Sequence, residues 1–153
     1  MILTDDIKRY VDQSVLCWLA TVDSNLMPNV SPKEVFSCFG EEHLIVANIA
    51  SPQTVKNIKI NEQVCISFID VFVQKGYQLK GKARIVKRGE AGFEAMEAIL
   101  LKITEGKFPF SSITQIHIEK AKPIIAPKYL LYPETTEAQQ IESAIKTYNY
   151  PKL

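Results

Sequence analysis

From Tyr77 to Val86 the chain alternates residue by residue: Tyr77, Leu79, Gly81, Ala83 and Ile85 against Gln78, Lys80, Lys82, Arg84 and Val86. A two-residue period marks a strand, because successive side chains leave opposite faces of a pleated backbone. Other strand-like stretches surround this one. Val15 to Val22 is an unbroken apolar run, which predicts a strand buried on both faces. Asp23-Ser24-Asn25 reads as a turn, and Met27 to Phe39 as an extended stretch punctuated by Pro28 and Pro32. Gly40-Glu41-Glu42 closes a hairpin onto His43 to Asn48. Val64 to Ile69 and Ile113 to Lys120 complete the set.

Helical signals are fewer. Thr4 is an acceptable N-cap, followed by Asp5 and Asp6 on the favourable side of a helix dipole. Ser51-Pro52 starts a short helix, with a hydroxyl at the N-cap and proline at the first position, where no amide hydrogen is needed. A longer helix spans Glu90 to Glu105, with Phe93, Met96, Leu100 and Ile103 on one face. Thr136 and Gln139 have the spacing of a capping box before a C-terminal helix of about 137–148. With so few helices between strands, a doubly wound parallel sheet does not fit. The pattern predicts an α+β domain, mainly β: a mostly antiparallel barrel of six or seven strands. One short helix follows strand four, a longer one follows strand six, and helices stand at both termini.

At 153 residues with 46% hydrophobic and 23% charged side chains, the chain is expected to form one domain, residues 1–153. Its net charge of +1 argues against a protein built to grip nucleic acid. No apolar run reaches membrane-span length, and Asp5, Asp6, Lys8 and Arg9 stand where a signal peptide needs apolar residues, so the sequence predicts a cytoplasmic protein. Cys17, Cys38 and Cys65 lie far apart in apolar runs and read as reduced thiols. Neither His43 nor His117 sits in a zinc-type motif, so neither metal catalysis nor a His-dependent triad is expected.

Three segments can carry chemistry. A helix start at Ser51-Pro52 offers free amides and a positive dipole end to a phosphate, with Thr54 and Lys56 nearby. The plain alternative is a good N-cap beside solvated lysines. Pro28-Asn29-Val30-Ser31-Pro32-Lys33-Glu34 holds two prolines that each remove a ladder donor, so it is either a protected edge strand or one whose amides face a ligand. Gln78 and Lys80 share one face of their strand, and Gly81 permits a close approach by a ring or another backbone.

The order of these segments resembles the pyridoxamine 5′-phosphate oxidase-like family of FMN-binding split β-barrels. The resemblance runs from about Ser14 to Lys122: Leu16 to Asp23, Pro28 to Phe36, Leu44 to Pro52, Thr54 to Ile58, Val64 to Phe68 and Leu79 to Ala83. It implies a homodimer with FMN at the subunit interface. Asn29, Val30, Ser31, Pro32, Lys33 and Glu34 are then expected along the ring and ribityl chain, with Lys33 near the ring's developing negative charge. Ala47, Asn48 and Ser51 lead toward the phosphate, and Thr54, Lys56 and Asn57 meet it. Gln78 and Lys80 reach the flavin from the neighbouring strand or from the other subunit. Many relatives carry a basic residue just after the phosphate-binding serine; this chain has Gln53, so either Lys56 compensates or FMN affinity is weakened or lost.

The resemblance does not extend to the vitamin B6 oxidase itself, whose C-terminal segment is rich in arginine; residues 134–153 here contain none. Two functions follow as expectations: an FMN-dependent oxidoreductase acting on a small organic molecule, or a non-catalytic carrier or sensor for flavin or haem. No residue is assigned a catalytic role from sequence.

Overall fold

The computed structural model describes residues 2–149, so the terminal Tyr150 to Leu153 lies outside the described residues. The elements run α1 (Asp5–Gln13), β1 (Cys17–Val22), β2 (Pro28–Lys33), β3 (Phe36–Phe39), β4 (His43–Ala47), α2 (Pro52–Ile60), β5 (Gln63–Asp70), β6 (Lys75–Lys87), α3 (Phe93–Thr104), β7 (Ser112–Ile125), α4 (Pro127–Leu131) and α5 (Glu137–Thr147). Seven strands form one sheet in the order β2-β1-β5-β6-β7-β4-β3, every neighbouring pair antiparallel.

The two edges of this sheet are consecutive in the chain. Only Glu34 and Val35 separate β2 from β3, and so short a link cannot cross an extended seven-stranded sheet. The sheet therefore curls until its edges meet, giving a half-barrel with a seam at Glu34-Val35. The stretch Met27 to Phe39, read from sequence as one extended segment, is thus two strands at opposite edges. Both prolines fall in β2, at an edge, where a missing donor costs no ladder bond. Val35 accepts a bond from the Ala47 amide at 3.0 Å, which ties the link to the end of β4.

Two apolar clusters hold the curl. Leu19, Leu44, Ile66, Leu79 and Ile116 fill its inside, all fully buried, and α1 adds Ile7, Tyr10 and Val11. On the outside, α3 lays Phe93, Met96 and Leu100 over Ile45, Val86 and Ile113. Each such side chain contributes about 1.5–3 kcal/mol. Glycine permits the close strand contacts of β6: a Cβ at Gly81 would stand 1.9 Å from the His117 carbonyl oxygen, beside the register shift at Lys80/Gly81.

One expectation fails. The run at β1 is buried on one face only: Cys17, Leu19 and Thr21 point inward, whereas Trp18 is 45% exposed. The outer side of β1 thus leaves apolar surface facing out. Two strands are also longer than their patterns showed. β6 begins at Lys75, and β7 continues to Ile125 through Pro123, where exposed side chains carry no apolar period.

Candidate functional site

At the seam, β2 and the start of α2 come together. Register places Asn29, Ser31 and Lys33 opposite the inward residues Thr21, Leu19 and Cys17, while Val30 and Pro32 face out. Ser31 Oγ lies 3.0 Å from Thr54 Oγ1, and the Lys33 ammonium donates to Ser51 Oγ. Lys33, expected along a ring, thus stands at the helix start. Ala47 ends β4; Asn48 follows, held by Thr114 Oγ1 at 2.8 Å and donating to Ser112 Oγ at 3.1 Å. An open cavity of about 550 Å³ adjoins this corner, lined by Asn48, Ser51, Pro52, Lys56, Lys59 and Ser112 among others.

Electrostatics set this corner apart. Lys33 is 5% exposed, and no described carboxylate pairs with it. Burial pulls its pKa down from the usual lysine value. Its cross-strand neighbour Cys17 is no counter-ion, because burial pushes that thiol up to about 12 and keeps it protonated. A buried cation without an anion is costly. The helix beside it is also short of partners: the Ser51 hydroxyl does not cap α2 but donates to the Ile49 carbonyl at 3.1 Å. The first-turn amides thus have no side-chain acceptor, and proline removes one of them. Ala50 precedes this start with φ of 50°, a left-handed conformation that an alanine adopts at a cost.

The remaining expected residues divide. Asn57 is fully buried and spent internally, donating to Thr21 Oγ1 at 3.0 Å and accepting from Gln53 at 2.7 Å. It anchors α2 to β1 and presents nothing to the cavity. Gln53 is committed to that same anchor; the buried positive charge at the corner comes from Lys33. Glu34 is exposed in the link. Gln78 and Lys80 are not brought to the corner at all. They pair with Ser67 and Cys65 on the outer face of the sheet, and β6 lies three strands from β2, roughly 14 Å away.

Sequence reasoning missed Lys59, Ser112 and Thr114. Lys59 follows Lys56 by three on the same helical side, a readable signal. Ser112 and Thr114 carried none, since only the pairing of β7 with β4 brings them to Asn48.

A single antiparallel sheet curled into a half-barrel, with its two edges joined at one seam, defines the class of split barrels. A family model for pyridoxamine 5′-phosphate oxidase matches residues 3–125, and the chain belongs to that family. Comparison with curated protein sequences finds no match. Among solved structures, HupZ of Group A Streptococcus is 30% identical, with 79% of this chain and 92% of that one covered and a TM-score of 0.67. An FMN-binding protein from Syntrophomonas wolfei is 19% identical over 81% of this chain and 87% of that one, with a TM-score of 0.68. HutZ, the heme storage protein of Vibrio cholerae, is 22% identical over 82% and 95%, at a TM-score of 0.63. The last two, at their low identity, share the fold. Among the described residues no helix is long and apolar enough to cross a membrane.

Proposed function

We propose that this protein binds FMN, its phosphate at the Lys33–Ser51 corner, and acts as a flavin-dependent oxidoreductase. The observation that carries the reading is the buried Lys33 ammonium with a hydroxyl partner but no carboxylate, beside an uncapped helix start. A dianionic phosphate meets both deficits: it neutralises Lys33 and accepts from the free amides. Thr54 and Ser31 supply hydroxyls on one side, and Lys56 and Lys59 supply mobile charge from the cavity wall. Bound flavin would supply the redox chemistry. The chain's residues bind and orient it; β2 presents Asn29 and Val30 further along the same strand.

The donor set at this corner suits flavin better than haem. Haem iron takes a histidine, thiolate, methionine or tyrosine ligand, whereas Cys17 is a buried, protonated thiol and His43 begins β4, about 13 Å from its Ala47 end.

A homodimer accounts for the rest. The outer face of β1 and β2 leaves Trp18 and Val30 exposed, on the same side of the sheet as Gln78 and Lys80. A second copy seated there covers the apolar surface and brings Gln78 and Lys80 to a neighbour's flavin.

Equilibrium titration with FMN and with riboflavin tests the reading. FMN is expected to bind about 10- to 100-fold more tightly, the worth of charge-assisted phosphate contacts. Lys33→Met is expected to abolish that difference. Equal affinity for the two flavins in the unaltered protein would overturn the phosphate assignment. Steady-state NAD(P)H oxidation then separates an oxidoreductase from a carrier.

A further inference from the structure

The chain's two histidines lie far apart in sequence, in no metal-binding motif, yet the sheet makes them neighbours. His43 and His117 are register partners across the β4–β7 ladder. Their side chains leave on the outer face, alternating with inward Leu44, Ile116 and Ile118. The ring centroids are 5.1 Å apart and the planes are inclined at 54°, so the rings are not stacked.

That separation has a chemical meaning. An imidazole bound to zinc holds its nitrogen at about 2.0–2.1 Å, which puts the ring centroid about 3.2 Å from the metal. Two such rings at a tetrahedral angle have centroids about 5 Å apart. The pair already has the spacing of two ligands on one ion. Neither imidazole makes a hydrogen bond or ion pair to a described residue, so their nitrogens are not committed elsewhere. The nearby ammonium of Lys82, register partner of His117 on β6, is occupied by Glu62 at 2.8 Å.

We propose that His43 and His117 form a two-imidazole site for a borderline transition-metal ion of the zinc, nickel or copper class. Water completes the coordination, since no third His, Cys, Asp or Glu joins the pair among the described residues. Imidazole ligands of this kind select against magnesium and calcium, which take oxygen donors. A bound ion clips β4 to β7 and stabilises the folded chain by mass action.

The test uses untagged, chelator-treated protein and calorimetric titration with ZnCl₂, NiCl₂, CuCl₂ and MgCl₂. Saturable binding of one equivalent of at least one of the first three, none of MgCl₂, and a rise in Tm with that metal are expected. His43→Ala and His117→Ala should each weaken binding by about tenfold or more, at least the cost of losing an outer-shell partner. His117 is exposed, so its variant is expected to keep the parent circular dichroism and the parent FMN titration. No saturable binding, equal binding of magnesium, or unchanged affinity in both variants would overturn the site.

Discussion

Two helices in this chain start in opposite ways. At α5, the Thr136 hydroxyl accepts from the Gln139 amide and the Gln139 side chain accepts from the Thr136 amide, so two donors of the start are satisfied by its own residues. At α2, Ser51 occupies the cap position but turns its hydroxyl toward Ile49 and Lys33, leaving the first-turn amides without a side-chain partner. Both read as hydroxyl caps in the sequence. The difference teaches that a hydroxyl at the cap position does not by itself cap a helix: beside a buried cation it turns to that cation, and the helix amides are left without it.

The strongest way to break this contrast is to remove the cation. Lys33→Met is expected to lower FMN affinity about 10- to 100-fold. The same change should stabilise the ligand-free protein by about 1 kcal/mol or more, because a buried unpaired charge gives way to an apolar side chain of similar length. Thermal unfolding with and without FMN reads both effects, and a loss of ligand-free stability would remove the ground for calling Lys33 receptive.

Cap deletion comes next. Thr136→Ala should cost about 1 kcal/mol through the lost cap, and Ser51→Ala should also cost about 1 kcal/mol or more, but through the buried Lys33 ammonium that loses its hydroxyl partner and not through a helix amide. Urea denaturation measures this in the parent and in Lys33→Met; a Ser51→Ala loss that persists without the Lys33 ammonium would erase the contrast.

A pH series sharpens it. Burial lowers the Lys33 pKa in the folded chain, so the folded state binds fewer protons than the unfolded one between that lowered value and 10.5. Ligand-free stability should therefore gain a contribution as pH rises through that window. FMN affinity should fall over the same window, as the cation is lost. Lys33→Met should show neither change.

The smallest effect is expected at Ala50, whose left-handed conformation lies just before α2. Ala50→Gly relieves that strain but adds freedom to the unfolded chain, a net gain of about 0.5 kcal/mol. A loss of stability in the same denaturation assay would mean that Ala50 carries no strain.

What the sequence disclosed follows from range. Periodicity and capping are local, so the α1 and α5 starts, the β6 alternation and the placement of α2 and α3 were readable from neighbouring residues. The split of Met27 to Phe39 was not, because an edge is defined by which strands pair and not by the strand's own residues. For the same reason Val15 to Val22 looked buried on both faces: an apolar run reports that burial is wanted, not that this chain supplies the cover. At the site, the Ser51 signal was visible, but its hydroxyl's true partners depend on Lys33, brought in by the curl of the sheet. Asn57 was legible as polar and helical; that it faces Thr21 inside the barrel was not.

The two-residue link between the sheet's edges has one more consequence. Lys33 ends one lip of the opening, and the stretch from Ala47 to Ser51 leaves β4, the strand beside the other lip, so a molecule held between them would work as a clasp on a hinged ring. Amide hydrogen exchange along the two lips should slow together when the clasp is filled, while the far wall of the ring, at β6, keeps its pace.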